Sequence, residues 1–187
     1  MRVFIAIDLS PAAREALARV GAKVVREIGR QAPTVRVTWV TPDRMHLTLR
    51  FFADASEAEV AALRGVLAVP LGVAAFEVVW GGLGVFPPRG VPRVIWVGMV
   101  EGELALRSAA SALDARLAVV GIPPDGRSLS PHLTLGRIRD GGRWRMPDLP
   151  GTGTIARDTI DHLTLYESRL SPQGPTYTAL AEGRLEN

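Results

Sequence analysis

The residues best suited to chemistry in this 187-residue chain are its three histidines, and all three stand in one local pattern. They read His46-Leu47-Thr48-Leu49, His132-Leu133-Thr134-Leu135 and His162-Leu163-Thr164-Leu165. With 11 Thr in the chain, chance puts Thr two places after every histidine in about 2 of 10,000 sequences; the strand preference of Thr raises that only several-fold. The spacing is the period of a β-strand, so each His–Thr pair projects from one face while both Leu pack behind it. An imidazole changes charge near neutrality, and a hydroxyl beside it can hydrogen-bond a phosphate oxygen. Two such strands facing one cleft would supply one imidazole as base and one as acid. The plainer reading of any single pattern is a half-buried strand histidine satisfied by a backbone carbonyl.

Other chemistries fare worse. Three histidines can hold zinc, but no HxH, HxxxH or HExxH spacing occurs, so no metal is expected. Cys is absent, which excludes thiol nucleophiles, thiolate metal centres and redox switches. There is no GxSxG nucleophile elbow and no GxGxxG or GxxxxGK[ST] phosphate cradle, so no cofactor is expected. Residues 81–90, GGLGVFPPRG, read as a turn-rich loop.

The elements that must position the histidines follow from hydrophobic pattern and caps. Val3 to Ile7 is an unbroken apolar run, a buried strand. Ser10 and Pro11 open a helix from Ala12 to about Arg30, with Leu17, Val20, Val24 and Ile28 on one face. Extended segments follow at 34–41 and 45–52, and Ser56 with Glu59 forms a capping box for a helix ending near Leu67. Strands are expected at 73–80 and 91–100, a third helix at 101–120, and strands near 131–139, 153–158, 160–167 and 176–182. This order, without regular βαβ alternation, predicts an α+β fold with mainly antiparallel sheet.

Basic residues outnumber acidic ones by 22 to 19, a formal charge of +3. All the basic residues but Lys23 are arginine, which never deprotonates in the accessible range, so the isoelectric point near 10.1 is a poor sign of nucleic-acid binding. The arginine excess suits phosphate, and a GC-rich genome encoding Arg for Lys explains it equally well. No apolar run approaches the roughly 20 residues of a membrane span, and residues 1–9 read as a strand rather than a signal peptide. A cytoplasmic, membrane-free monomer is expected.

The chain resembles the two-histidine phosphoesterases, specifically the RNA 2′,3′-cyclic phosphodiesterases once named 2′-5′ RNA ligases (LigT-like). The likeness runs through RVFIAIDL (2–9), WVTPDRMHLTLRFFAD (39–54), PRVIWVG (92–98), RSLSPHLTLGR (127–137) and LTLYESRLSPQGPTY (163–177). It implies a single domain over residues 1–187, built of two pseudo-symmetric lobes of antiparallel sheet with outer helices around a central cleft. It also implies metal-independent hydrolysis of RNA 2′,3′-cyclic phosphate ends to 2′-phosphomonoesters. In that scheme His132 accepts a proton from water, His46 donates one to the leaving 3′ oxygen, and Thr48 and Thr134 hold the phosphate oxygens. His162 and Thr164 fall where the family has a plain strand, so the resemblance gives them no role.

Arg127 and Arg137 match the second motif as phosphate-binding candidates. Arg137 stands at an odd offset from His132, on the opposite face of a regular strand, so its use predicts a bulge near Gly136. Arg44 and Phe52 share the parity of His46, and Phe52 there could stack a base; Trp39, Phe51, Phe86 and Trp96 are expected mainly in the core. Lys23, in AKVV, lacks the setting of an adenylated lysine, which excludes ATP-dependent ligation and leaves an ATP-independent reverse ligation. Two alternatives remain open: hydrolysis of a small cyclic phosphate such as an ADP-ribose derivative, or a non-catalytic RNA-binding module.

Overall fold

Strand β1 (Val3–Asp8) is buried along its length, and Ser10 then caps helix α1 (Pro11–Gln31), its hydroxyl accepting from the Ala13 N–H at 3.2 Å. The computed structural model describes residues 1–126, 128–140, 152–172 and 174–186. After α1 the chain forms β2 (Arg36–Trp39), a 3-10 turn (Pro42–Arg44) and β3 (His46–Phe52). The Ser56–Glu59 capping box is present at the start of α2 (Glu57–Leu67). Then come β4 (Phe76–Phe86), β5 (Val94–Glu101), α3 (Glu103–Val119), β6 (His132–Asp140), β7 (Ala156–Ile160), β8 (His162–Ser171) and β9 (Gly174–Arg184).

The described strands form two antiparallel sheets, one ordered β3-β1-β8-β9 and the other β2-β6-β5-β4-β7. Each takes strands from both halves of the chain. Within them β1–α1–β3 repeats as β5–α3–β6, and the repeat extends to single residues. Asp8, Ala6 and Ile5 oppose His46, Thr48 and Arg50; Gly98, Trp96 and Ile95 oppose His132, Thr134 and Gly136. The α+β architecture of two related antiparallel lobes is therefore present. One hydrophobic core joins both sheets to the three helices, through Leu17 and Val24 of α1, Leu63 of α2 and Leu106, Leu113 and Leu117 of α3.

The structure corrects the sequence reading at the glycines of 81–86. These residues continue β4 instead of forming a loop. The glycines serve close packing: a Cβ on Gly84 would collide with the Trp96 ring, and one on Gly81 with the Gly153 carbonyl. Gly82, at φ +72°, sits where the β4–β5 register slips by one residue, a backbone conformation that costs glycine little. The strand expected at 153–158 lies at Ala156–Ile160.

Candidate functional site

His46 opens β3 and His132 opens β6, so each sheet contributes one His–x–Thr strand. The intervening leucines fix which way the strands face. Leu47 and Leu133 are 1% and 0% exposed; burying each contributes about 2 kcal/mol, which a one-residue slip would forfeit by turning every side chain over. His46, Thr48, His132 and Thr134 accordingly line one cavity of about 130 Å³, with Val40, Arg44, Arg137 and Tyr177. A larger cavity of about 280 Å³ adjoins it, sharing Thr48 and His132 and bounded by Arg50, Phe51, Asp114 and Ser130.

The two imidazoles are held in the same way. His46 Nδ1 lies 2.8 Å from the Arg44 carbonyl and His132 Nδ1 2.7 Å from the Ser130 carbonyl, each two residues upstream. A carbonyl only accepts, so Nδ1–H is the donor in both rings and Nε2 is left for chemistry. Neutral, each Nε2 can take a proton; protonated, it can give one.

Their surroundings differ. The His46 ring stacks on Phe4 at 4.6 Å and meets the edge of Tyr177 at 5.2 Å. Burial pushes its proton affinity below the usual imidazole value, and the charges of Arg14 and Arg137 act in the same direction; the Arg44 carbonyl and Asp8 oppose them. Burial also pushes the Tyr177 phenol upward, so it remains a neutral wall of the cavity. Among the described residues His132 has one aromatic neighbour, Phe86, edge-on at 5.1 Å.

The expected irregularity beside Arg137 is present. Between Thr134 and Gly136 the register against β5 slips, leaving Leu135 as the extra residue. Arg137 thereby returns to the face of His132 and Thr134 and enters the cavity. Gly136 is needed for packing as well, because a Cβ there would lie 2.6 Å from Val37 Cγ1 and 2.9 Å from Trp39 Cε3.

The same slip occurs in β3, with Leu49 as the extra residue opposite Ile5 and Ala6. It overturns the reading of Phe52. Beyond the bulge Phe52 opposes Val3 and packs on the core, whereas Phe51 opposes Phe4, is 44% exposed and lines the larger cavity. Parity counted through an undetected bulge picks the wrong phenylalanine. Arg50 turns inward with Phe52; it is 7% exposed and pairs with Asp114 of α3 at 2.8 Å. Tyr177 was also missed as a site residue, because its place depends on β9 returning beside β8.

The remaining sequence candidates divide. Arg44 lies in the His46 cavity. Arg127 lies outside the described residues. His162 is not among the residues lining the cavity; its Nδ1 pairs with Asp161 at 2.6 Å. Thr164 is 1% exposed and donates to Asp8 Oδ2 at 2.7 Å. Among the described residues no group of three or more His, Asp or Glu is placed to hold a metal, and no helix is long and apolar enough to cross a membrane.

Comparison with known proteins gives a consistent picture. The family model described as LigT like phosphoesterase matches twice, over residues 7–96 and 97–177, and each match contains one of the two cavity histidines. The chain is similar to an RNA 2′,3′-cyclic phosphodiesterase of Methanothermobacter thermautotrophicus, at 30% identity over 99% of both chains. A crystal structure of a Thermus thermophilus protein aligns over 99% of this chain and 98% of that one, at 31% identity and a TM-score of 0.77. The crystal structure of E. coli LigT complexed with 3′-AMP covers 100% and 98%, at 26% identity and a TM-score of 0.74.

Proposed function

This chain belongs to the LigT-like phosphoesterases, and from that premise we propose that it is an RNA 2′,3′-cyclic phosphodiesterase working through His46 and His132. One observation carries the reading. Two imidazoles with the same tautomer, each beside a Thr hydroxyl, share a single cavity with an arginine. That set supplies a base, an acid and donors for charge developing on phosphorus.

In the proposed reaction a water oxygen attacks the cyclic phosphorus while its proton passes to His132 Nε2. The bond from phosphorus to O3′ breaks, and O3′ takes the proton held on His46 Nε2. The products are a 2′-phosphomonoester and a free 3′-hydroxyl. Thr48, Thr134 and Arg137 would hold the non-bridging oxygens. The low proton affinity of His46 makes its protonated form a strong acid; the arriving phosphate anion would offset Arg137 and load the ring. His132 lines both the smaller and the larger cavity, which suits a base that must meet water. Its assignment as acceptor, and that of His46 as donor, carries over from the family resemblance.

The RNA substrate rests on the names of the relatives, and 3′-AMP bound to E. coli LigT shows that a relative accepts a nucleotide. Phe51, exposed on the wall of the larger cavity, is the residue we assign to stack the terminal base. A 5′-hydroxyl taking the place of water would join RNA ends through a 2′-5′ linkage without ATP. Water in large excess favours hydrolysis. The test is product analysis on an oligoribonucleotide ending in a 2′,3′-cyclic phosphate. A 2′-phosphate product is expected; a 3′-phosphate, or binding without turnover, would overturn the scheme.

A further inference from the structure

Asp8 ends β1 directly across from His46 of β3. Cross-strand partners place their Cβ atoms about 4.5–5.5 Å apart. The carboxylate is densely bonded: Oδ2 accepts from Thr164 Oγ1 at 2.7 Å and Tyr166 OH at 2.8 Å, and Oδ1 lies 3.3 Å from Arg14 Nη2. Two of these three partners, Arg14 and Tyr166, lead back to the histidine. Arg14 Nη1 also donates to the carbonyls of Pro42, Asp43 and Met45, clamping the 3-10 turn whose Arg44 carbonyl holds His46 Nδ1. Tyr166 stacks on Phe4 at 5.3 Å, and Phe4 stacks on the His46 ring.

We propose that Asp8 is the positioning residue of His46, fixing the ring through Arg14 on one side and Tyr166 with Phe4 on the other, and lending its charge to the protonated imidazole. The third His–x–Thr pattern finds its use here. Thr164 points its hydroxyl at Asp8 from a place too buried for substrate to reach. By the repeat, Gly98 stands where Asp8 stands, so His132 has no such carboxylate across from it.

The groups around His46 come from every neighbouring element: Asp8 of β1, Arg14 of α1, Arg44 of the turn, Arg137 and His132 of β6, Tyr166 of β8 and Tyr177 of β9. Among the described residues, Asp8 is the only carboxylate in this group. Removing its charge must lower the proton affinity of His46, whereas removing a hydroxyl that shields the carboxylate must raise it.

The catalytic consequence rests on the donor role proposed above for His46; the titration itself does not. Nitrogen-15 NMR titration of the full chain reads each imidazole directly. Asp8→Asn keeps an oxygen for Thr164 or Tyr166 and should move the His46 midpoint down by about half a unit or more. Tyr166→Phe keeps the stack on Phe4 and should move it up by less. The alkaline limb of kcat/KM on cyclic-phosphate RNA should move with the midpoint, a roughly threefold loss above the limb for Asp8→Asn. A His46 midpoint within about 0.2 unit of wild type in Asp8→Asn overturns the proposal. If Asp8→Asn does not fold, the absence of an upward move in Tyr166→Phe overturns it. Shifted midpoints in a protein that turns over no cyclic phosphate leave the positioning role standing and remove the enzymatic reading.

Discussion

Phe51 and Arg137 occupy the same place in the two halves of the molecule. Each stands five residues after its histidine, past a bulge at the second Leu of the motif, and each is thereby returned to the His–Thr face. The bulge adds one residue, and because side chains alternate with period 2 it converts an odd offset into a shared face. The two lobes use this identical device differently, one to present a cation to the cavity and one to present an aromatic ring.

The histidine pair should dominate the rate. His46→Ala and His132→Ala should each lower turnover of an RNA 2′,3′-cyclic phosphate by about 10²–10⁴-fold, the range for one acid–base group. His162→Ala, which removes no side chain of the cavity lining, should stay within about twofold of wild type. Activity should survive a chelator. Full turnover by either of the first two variants would sink the mechanism.

The two phenylalanines should separate cleanly. Phe51→Ala should raise KM for RNA ends by about tenfold, as expected for losing one stacked base, with thermal stability nearly unchanged. Phe52→Ala should instead lower stability by about 2 kcal/mol and leave KM alone. Steady-state kinetics and a denaturant titration on both variants test the exchange of roles, and the reverse pattern would restore the simple parity reading.

Arg137 depends on Gly136. Arg137→Ala should reduce kcat/KM by about 10- to 100-fold through loss of a charge-assisted phosphate contact. Gly136→Ala should cost about 1–3 kcal/mol of stability, because its Cβ meets Val37 and Trp39, and should lower activity by displacing the bulge. An alanine at 136 with unchanged stability and kinetics would show that the close approach can relax.

The pH profile should be bell-shaped, with a sign set by burial. His46 must be protonated to donate, and burial lowers its proton affinity in the free enzyme. The alkaline limb of kcat/KM, which reports the free enzyme, should therefore fall below the ordinary imidazole value of about 6.5. The limb of kcat should lie higher, since bound phosphate favours the protonated ring. An alkaline limb of kcat/KM well above neutrality would contradict the donor assignment.

Local sequence is enough to pick out the two His–Thr pairs that line the cavity. The repeated His–x–Thr spacing, strand-length apolar runs, helix caps and the α+β order all arise from local periodicity, which needs no partner strand to be read. The irregularity at Gly136 was legible once the family resemblance gave Arg137 a phosphate to bind, because a regular strand would have kept it off the histidine face. Strand pairing settles the rest. A bulge exists only relative to the neighbouring strand, so the slip at Leu49 that exchanges Phe52 for Phe51 leaves no local trace. Glycines 81 to 84 looked like a turn because their use, room for Trp96 and for the chain near Gly153, comes from elsewhere in the chain. The three His–x–Thr copies are locally alike; only the order β3-β1-β8-β9 carries His46 into the cavity and turns Thr164 toward Asp8.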